Sequence, residues 1–571
     1  MANWQVALII LLVGFAVFYP GLKGSFEGDD FPQIVNNVPV HSISHIKIFF
    51  EGSTFYNGDG LAPLSGAYYR PLMTTTFSLI YTLFGAQVLY FHLFQLLVCM
   101  GSAFLLYLFF RYSFNIGLSL FLALVFLVHP LNSQVVFAIP SMQDALFFFF
   151  GILALWLLVR FRSVKSLGLV ALSLFLCLLS KETAVVFIVM ALLYLFWWDR
   201  KRLIPFIGIM VLPVALWLTL KINALGLLGT NPNNAPIDRL NLAERLMTAP
   251  SILFSYITKF VFPWKLASAY YWTYPHFSIR HVLLPLIIDL LVIVIAVYGA
   301  LVIRRRSTKA QYYTYLFFAA WAVLGLLTTL QVIPVDMTAC ETWFYFPMAG
   351  VLGMIGVAFT ALRLRINPYW IAAIALVLLV ALGIRTGLRG HDWRNQYTLA
   401  YKDVSASKDN YIAYNIIAAG LNSRGNFKQG KLNAQRSIAI FPTFSNYNNL
   451  GVSDEGLHTF AAAQAAFKQG LRYGDYNLLY DNLAELTLLY GSIHDNEQFL
   501  LNELEMHPHD STLWMYLAIQ EYKDNDNSKA KIAISNAATY GHVPPFIYSA
   551  VVNNQPLTIE ITNLGLKVTV Q

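Results

Sequence analysis

Apolar residues run in blocks along the first two thirds of the chain, not at the spacing of a one-sided helix. Trp4–Pro20 is the first block, and comparable ones recur as far as Thr386. A helix needs about 20 apolar residues to cross the hydrocarbon core of a bilayer. The pattern predicts about eleven spans, near 4–22, 88–110, 114–128, 141–159, 166–180, 183–198, 203–220, 282–303, 311–331, 344–362 and 368–386. Two apolar stretches fit less well: Pro71–Gly85 is only 15 residues long, and Pro250–Pro263 is bracketed by prolines. Each predicts a helix lying at the interface or re-entering the membrane. Trp4–Pro20 has neither a basic start nor a small-residue cleavage site, so it reads as a retained first span.

Charge then orients the spans. Basic residues cluster at Arg111, Arg160–Lys165, Asp199–Arg202, Arg304–Lys309, and Arg363 with Arg365. If these face the cytoplasm, an odd number of spans puts the N-terminus inside and the tail outside. Only 12% of the 571 residues are charged and 57% are hydrophobic. That charge fraction is roughly half of a soluble domain's. The net charge of +8 resides largely in these clusters, so it fits membrane orientation and no nucleic-acid partner is expected. The 3 cysteines, Cys99, Cys177 and Cys340, lie in or beside apolar runs without disulfide or metal spacing. No N-x-S/T acceptor motif occurs, which points to a bacterial inner membrane with a periplasmic outer side.

Beyond Thr386 the composition becomes that of soluble protein. Tyr414-Asn415, Tyr447-Asn448, Tyr480-Asp481 and Leu513-Trp514 recur every 33 residues. Turns are expected at Gly425, His458, Gly491 and Asp524, each between two helical patterns. Ala461–Ala463, Ala465 and Ala466 permit close helix packing, and Leu566–Val570 reads as a small extended cap. Helix pairs at this period mark tetratricopeptide-type solenoids. The expected organisation is a membrane domain over 1–386 with its first outer loop at 23–87. A linker over 387–412 and a repeat domain over 413–571 follow. Such repeats dock partner proteins, or they shield the membrane part.

The polar residues that carry chemistry gather on the outer side. Glu27, Asp29 and Asp30 stand in the loop Gly24–Asn37, just past the first span. One reading is a solvated loop with an aspartate capping a helix near Pro32. The other is acid–base chemistry, because adjacent carboxylates resist joint ionisation and so raise one another's pKa. Arg70, His92, His129, Gln134, Asp144, Lys181, Glu182, Glu341, Arg385, Arg389, His391, Asp392 and Arg394 fall on the same side. Lys181-Glu182 separates two spans too closely to form a free loop, and reads as a functional pair or a headgroup-level turn. Arg70, Lys181, Arg385 and Arg389 would suit a lipid-borne phosphate, with Asp29 or Asp30 deprotonating an acceptor hydroxyl. The Tyr270–Tyr274 aromatic run reads as a headgroup belt or as a sugar-stacking surface.

The motifs occur in a recognisable order: GDD, YYRP, Phe91-His92-Leu93-Phe94, HP, SKET, ETWFYFP and RGHDW, then the repeats. This order resembles the TMTC-type glycosyltransferases of the GT-C superfamily, over almost the whole chain. The resemblance implies an all-α polytopic GT-C membrane fold followed by a TPR-like solenoid. It also implies a polyprenyl-phosphate-linked sugar donor and an inverting O-glycosyl transfer on the outer face. The family's acidic pair corresponds to Asp29 and Asp30 as catalytic residues. Arg70, His129, Lys181, Glu182 and Glu341 match donor-side positions. Gln134 stands where the family has a Glu, Asp144 lacks its preceding basic partner, and Glu341-Thr342-Trp343 lacks an Arg. The family's sugar is therefore not carried over. Asp29, Asp30 and Glu182 would offer oxygen ligands to Mg or Mn, whose presence the sequence leaves undecided. The acceptor is expected to be an exported protein, docked by the repeats. A glycan or lipid acceptor and a transporter with a repeat scaffold are the alternatives, but transporters place charge near the midplane in related halves.

Overall fold

The computed structural model describes the chain except residues 57–63, 66–67, 227–234, 363–366, 475–476, 491–492, 562–565 and 571. Arg363 and Arg365 of one basic cluster, and the expected turn at Gly491, lie outside the described residues. The chain divides into two compact units, Met1–Lys408 and Asp409–Gln571.

The first unit is helical and is that of an integral membrane protein. All eleven expected spans are helices among the described residues. Of these, 8 are long and apolar enough to cross a membrane alone, or up to 9 if a bent pair counts as one. The bent pair is Ile116–Val128 with Pro130–Phe137, which turn by 52° at His129-Pro130. Leu167–Ser180 and Val185–Trp198 are shorter, because the Lys181-Glu182 break interrupts them. Close packing sets the helix spacing where side chains are small. A Cβ on Gly350 would lie 2.5 Å from the Ala322 amide nitrogen, so the Lys309–Leu327 and Tyr345–Leu362 helices meet backbone to backbone.

The two segments that failed the length test are separate helices. Pro71–Phe84 begins with proline at its first position and stops at Gly85, whose φ of 66° is left-handed. The second helix covers Leu242–Val261, so Pro250 lies inside it and is not its start. Its true start is a capping box, in which the Asn241 side chain accepts from the Glu244 amide and Glu244 returns the bond. Residues 387–412, expected as a linker, are mostly helix: the last span runs on to Asp392 and Gln396–Ala406 follows.

The second unit consists of helix pairs whose first members begin at Tyr411, Phe444, Asn477 and Ser511. Asparagines of successive first helices bond one another, Asn449 to Asn415 and Asn482 to Asn448, each at 2.7 Å. Gly425 and His458 take left-handed φ at the turn, but in the fourth pair Asn525 does so, not Asp524. That pair starts 34 residues after the third, which accounts for the one-residue slip. Only Ala463 and Ala466 of the alanine cluster are buried. Leu566–Val570 pairs antiparallel with Leu557–Ile561 as a hairpin.

Candidate active site

The loop after the first span brings its acids and Tyr68-Tyr69-Arg70 together. The Tyr68 carbonyl accepts from the Thr54 amide and hydroxyl, both at 2.9 Å, and from Ser53 at 3.3 Å. Tyr69 donates its hydroxyl to the Phe50 carbonyl at 3.1 Å. Arg70 then stands at the mouth of the Pro71–Phe84 helix, its guanidinium 4.0 Å from the Tyr68 ring centroid. Its Nε lies 3.5 Å from Glu182 Oε2, and Glu182 Oε1 accepts from the Tyr69 amide at 3.0 Å. Arg70 and Glu182, 112 positions apart, are thereby brought into one cluster.

Asp336, which sequence reasoning missed, completes it. It lies between two spans and accepts from the Tyr68 hydroxyl at 3.0 Å. The only sequence signal was a lone acid in the otherwise apolar stretch Val332–Met337. Asp29 interacts electrostatically with both Asp336 and Arg70.

The two aspartates differ in environment. Asp30 is buried, and its Oδ2 accepts from the Glu27 amide at 2.8 Å, closing the loop on itself. Burial, opposed by that hydrogen bond and assisted by Asp29, lifts its carboxyl to about 8. Glu27 is lifted to about 8 by burial and by the charges of Asp30 and Asp403. Asp29 keeps its access to solvent. The protein mass around its recess and the Asp336 charge raise it to about 6, against the pull of Arg70. At neutral pH Asp29 is thus the ionised member and Asp30 the protonated one.

A second ionic cluster takes in three more expected residues, and its guanidinium is enclosed. Arg389 is fully enclosed, with Nη2 3.8 Å from both Glu341 Oε2 and Asp403 Oδ1, and Nη1 3.4 Å from Asp392. Glu341 accepts from the Tyr270 hydroxyl at 3.1 Å. Asp403 accepts from the Ser268 amide at 3.0 Å and from its hydroxyl. The Lys259 ammonium lies 4.1 Å from the Tyr270 ring centroid and bonds the Ser255 hydroxyl. Tyr270 is thus a buried bridge, not a belt residue. Asp403 was unreadable because it sits in the presumed linker.

The remaining expected residues make their bonds elsewhere, although Arg385 also feels the charges of Arg389, Asp392 and Glu341. His129 has both ring nitrogens in use: Nδ1 accepts from the Leu131 amide at 3.2 Å, and Nε2 donates to the Phe260 carbonyl at 3.0 Å. It braces the bent pair and holds no nitrogen for a ligand. Lys181 bonds Asp144 at 2.6 Å, so the acid that lacks a local basic partner receives one from another helix. Arg385 donates to the Trp264 carbonyl at 2.8 Å. Gln134, where the family has a Glu, donates to the Ser268 carbonyl at 3.0 Å. Among the described residues, no three His, Cys, Asp or Glu side chains are arranged to hold a metal ion. Glu182 is turned to Arg70 and Tyr69, so Asp29, Asp30 and Glu182 do not form the oxygen set considered for Mg or Mn.

No protein-family profile matches the chain. A protein O-mannosyl-transferase of Caenorhabditis elegans is 24% identical over 454 residues, 76% of this chain and 63% of that protein. The protein O-mannosyl-transferase Tmtc3 of Drosophila melanogaster is 27% identical over 179 residues, 30% of this chain and 19% of that protein. The human protein O-mannosyl-transferase TMTC1 is 34% identical over 128 residues, 22% of this chain and 14% of that protein. This chain therefore covers less than two thirds of the length of these relatives. Two solved structures of ArnT from Cupriavidus metallidurans are also similar, one in the apo state and one bound to undecaprenyl phosphate. Both are 14% identical, with 81% of this chain and 79% of that chain covered and TM-scores of 0.39 and 0.38. The curated relatives are thus TMTC proteins, the group whose motif order this chain resembles.

Proposed function

We propose that this protein is an integral membrane glycosyltransferase that moves a sugar from a polyprenyl phosphate to a hydroxyl of an exported protein. One observation carries the reading: a solvent-accessible carboxylate, Asp29, lifted to about 6, stands within the electrostatic reach of a guanidinium, Arg70. A general base works best with a pKa near the working pH and within hydrogen-bond reach of the proton it takes. In this reading the acceptor oxygen attacks the anomeric carbon from the face opposite the phosphate, and Asp29 takes its proton. The bond from the anomeric carbon to the phosphate oxygen breaks, the electron pair leaves with the phosphate, and the configuration inverts. Arg70 offers its planar fork to charge that develops on that leaving group. Asp30, protonated and tied to the Glu27 amide, positions the loop. The relatives' names support a protein acceptor, and the second unit would hold it. The active side would be the periplasmic face of a bacterial inner membrane.

The test is intact-mass analysis of exported proteins from cells carrying the wild type, Asp29→Asn or Asp30→Asn at equal membrane levels. A discrete sugar mass that disappears with Asp29→Asn and persists with Asp30→Asn supports the assignment. A mass change confined to a surface glycan or lipid replaces the protein acceptor. Transfer at wild-type rate by Asp29→Asn overturns the base.

A further inference from the structure

Arg200–Leu225 is the span whose exposure pattern carries an anomaly. Most of its side chains face outward, Leu216, Leu218 and Ile222 among them, as expected of a helix against lipid. A narrow stripe of Phe206, Met210 and Trp217 is buried, and Lys221 continues it one turn on. The helix packs on Leu167–Ser180, which leads into Lys181-Glu182, and on Ile46–Glu51 of the first loop. Lys221 lies four residues before the helix end, about 6 Å along the axis.

Two donors on this stripe lack a partner. Trp217 is 6% exposed, yet its indole Nε1 has no hydrogen-bond partner among the described residues. An indole N–H can only donate, and leaving a buried donor unmatched is costly. The Lys221 ammonium lies 5.4 Å from the Trp217 ring centroid and has no carboxylate within 4 Å among the described residues. It interacts electrostatically with Glu182, which Arg70 already pairs. Glu182 is thus shared between Arg70 and Lys221, and Lys221 has no carboxylate to itself. Charged groups in a span mark functional sites, and a lysine near a helix end reaches toward the headgroups.

We propose that Lys221 and the Trp217 indole N–H bind the phosphate of a membrane-embedded lipid at the seam between protein and bilayer. The lipid would enter sideways past Leu218 and Ile222 without leaving the hydrocarbon layer. Lys221 supplies a point charge, and the indole fixes one phosphate oxygen. That the lipid is the sugar donor rests on the transfer reaction proposed above.

The experiment measures binding without turnover. Full-length protein in detergent is titrated with undecaprenyl phosphate and, separately, with phosphatidylglycerol, and native mass spectrometry counts the bound lipid. Lys221→Gln is expected to weaken undecaprenyl phosphate by about tenfold. Trp217→Phe, which keeps the aromatic packing, weakens it less. Melting curves confirm that each variant is folded. A fall for both lipids supports a phosphate site open to headgroups in general. A fall for phosphatidylglycerol alone overturns the donor assignment, and wild-type binding by both Lys221→Gln and Trp217→Phe overturns the site. Continued sugar transfer by Asp29→Asn would defeat the reaction proposed above without touching this result.

Discussion

The protein holds two ionic clusters, and they treat charge in opposite ways. Around Arg389, three carboxylates close on one guanidinium that water does not reach. Around Arg70, the guanidinium shares itself between Glu182 and a tyrosine ring, and Asp29 stays open beside it. The first arrangement spends its charges on each other and fixes three segments of chain. The second leaves a titratable group for a substrate. Residue type alone would rank Arg389 and Arg70 alike as phosphate ligands, and both are buried; the exposed Asp29 beside Arg70 separates them.

Asp29→Asn is expected to have the largest effect, lowering transfer by about 10²–10⁴-fold while leaving the melting temperature near the wild-type value. Product formation per folded enzyme is the measurement, and an Asn variant of undiminished rate would erase the distinction. Arg389→Met reverses the profile. It strands Glu341 and Asp403 without their cation, and loss of one partner from a buried pair costs about 3–5 kcal/mol. The loss should appear as a lower melting temperature or little recoverable protein. Lys181→Met should likewise strand Asp144, and adding Asp144→Leu should recover much of the stability, as a double-mutant cycle would report.

Smaller effects sharpen the open cluster. Asp29 must be ionised to act, so the rate should rise with pH through about 6. Asp336→Asn removes a charge that raises Asp29, so this limb should move to lower pH. Arg70→Gln removes one that lowers it, so the limb should move to higher pH, along with any loss in rate. The smallest effect concerns Asp30. Its carboxyl is raised by burial, so its stabilising contribution is complete below its ordinary value and is lost as pH rises through about 8. Asp30→Asn should flatten the dependence of melting temperature on pH across that window.

Much of this molecule was legible in the sequence, for a physical reason. A bilayer demands long apolar helices, so helices at all eleven expected spans and the short Pro71–Phe84 helix could be read from hydropathy, 8 or 9 of them long enough to cross a membrane. Helix starts were less legible where proline misled. Pro250 resembles a boundary, but the Asn241–Glu244 capping box marks the real one. The acidic loop and Arg70 stood out because charge near a span is expensive. Asp336 and Asp403 did not, since ionic clusters are assembled by residues far apart in sequence. His129 misled because spacing does not tell a bracing imidazole from a binding one. Its occupied ring nitrogens do.

Asp403 lies beyond the last span, yet it closes a cluster on Arg389 and Glu341 from within the helical bundle. The membrane portion therefore does not end where the lipid ends. A protein cut after Thr386 would end inside the last span and lose Arg389, Asp392 and Asp403, leaving Glu341 buried without its guanidinium. A cut after Lys408 would keep the set. The smallest fragment that keeps this cluster whole is bounded by a carboxylate in water-soluble sequence.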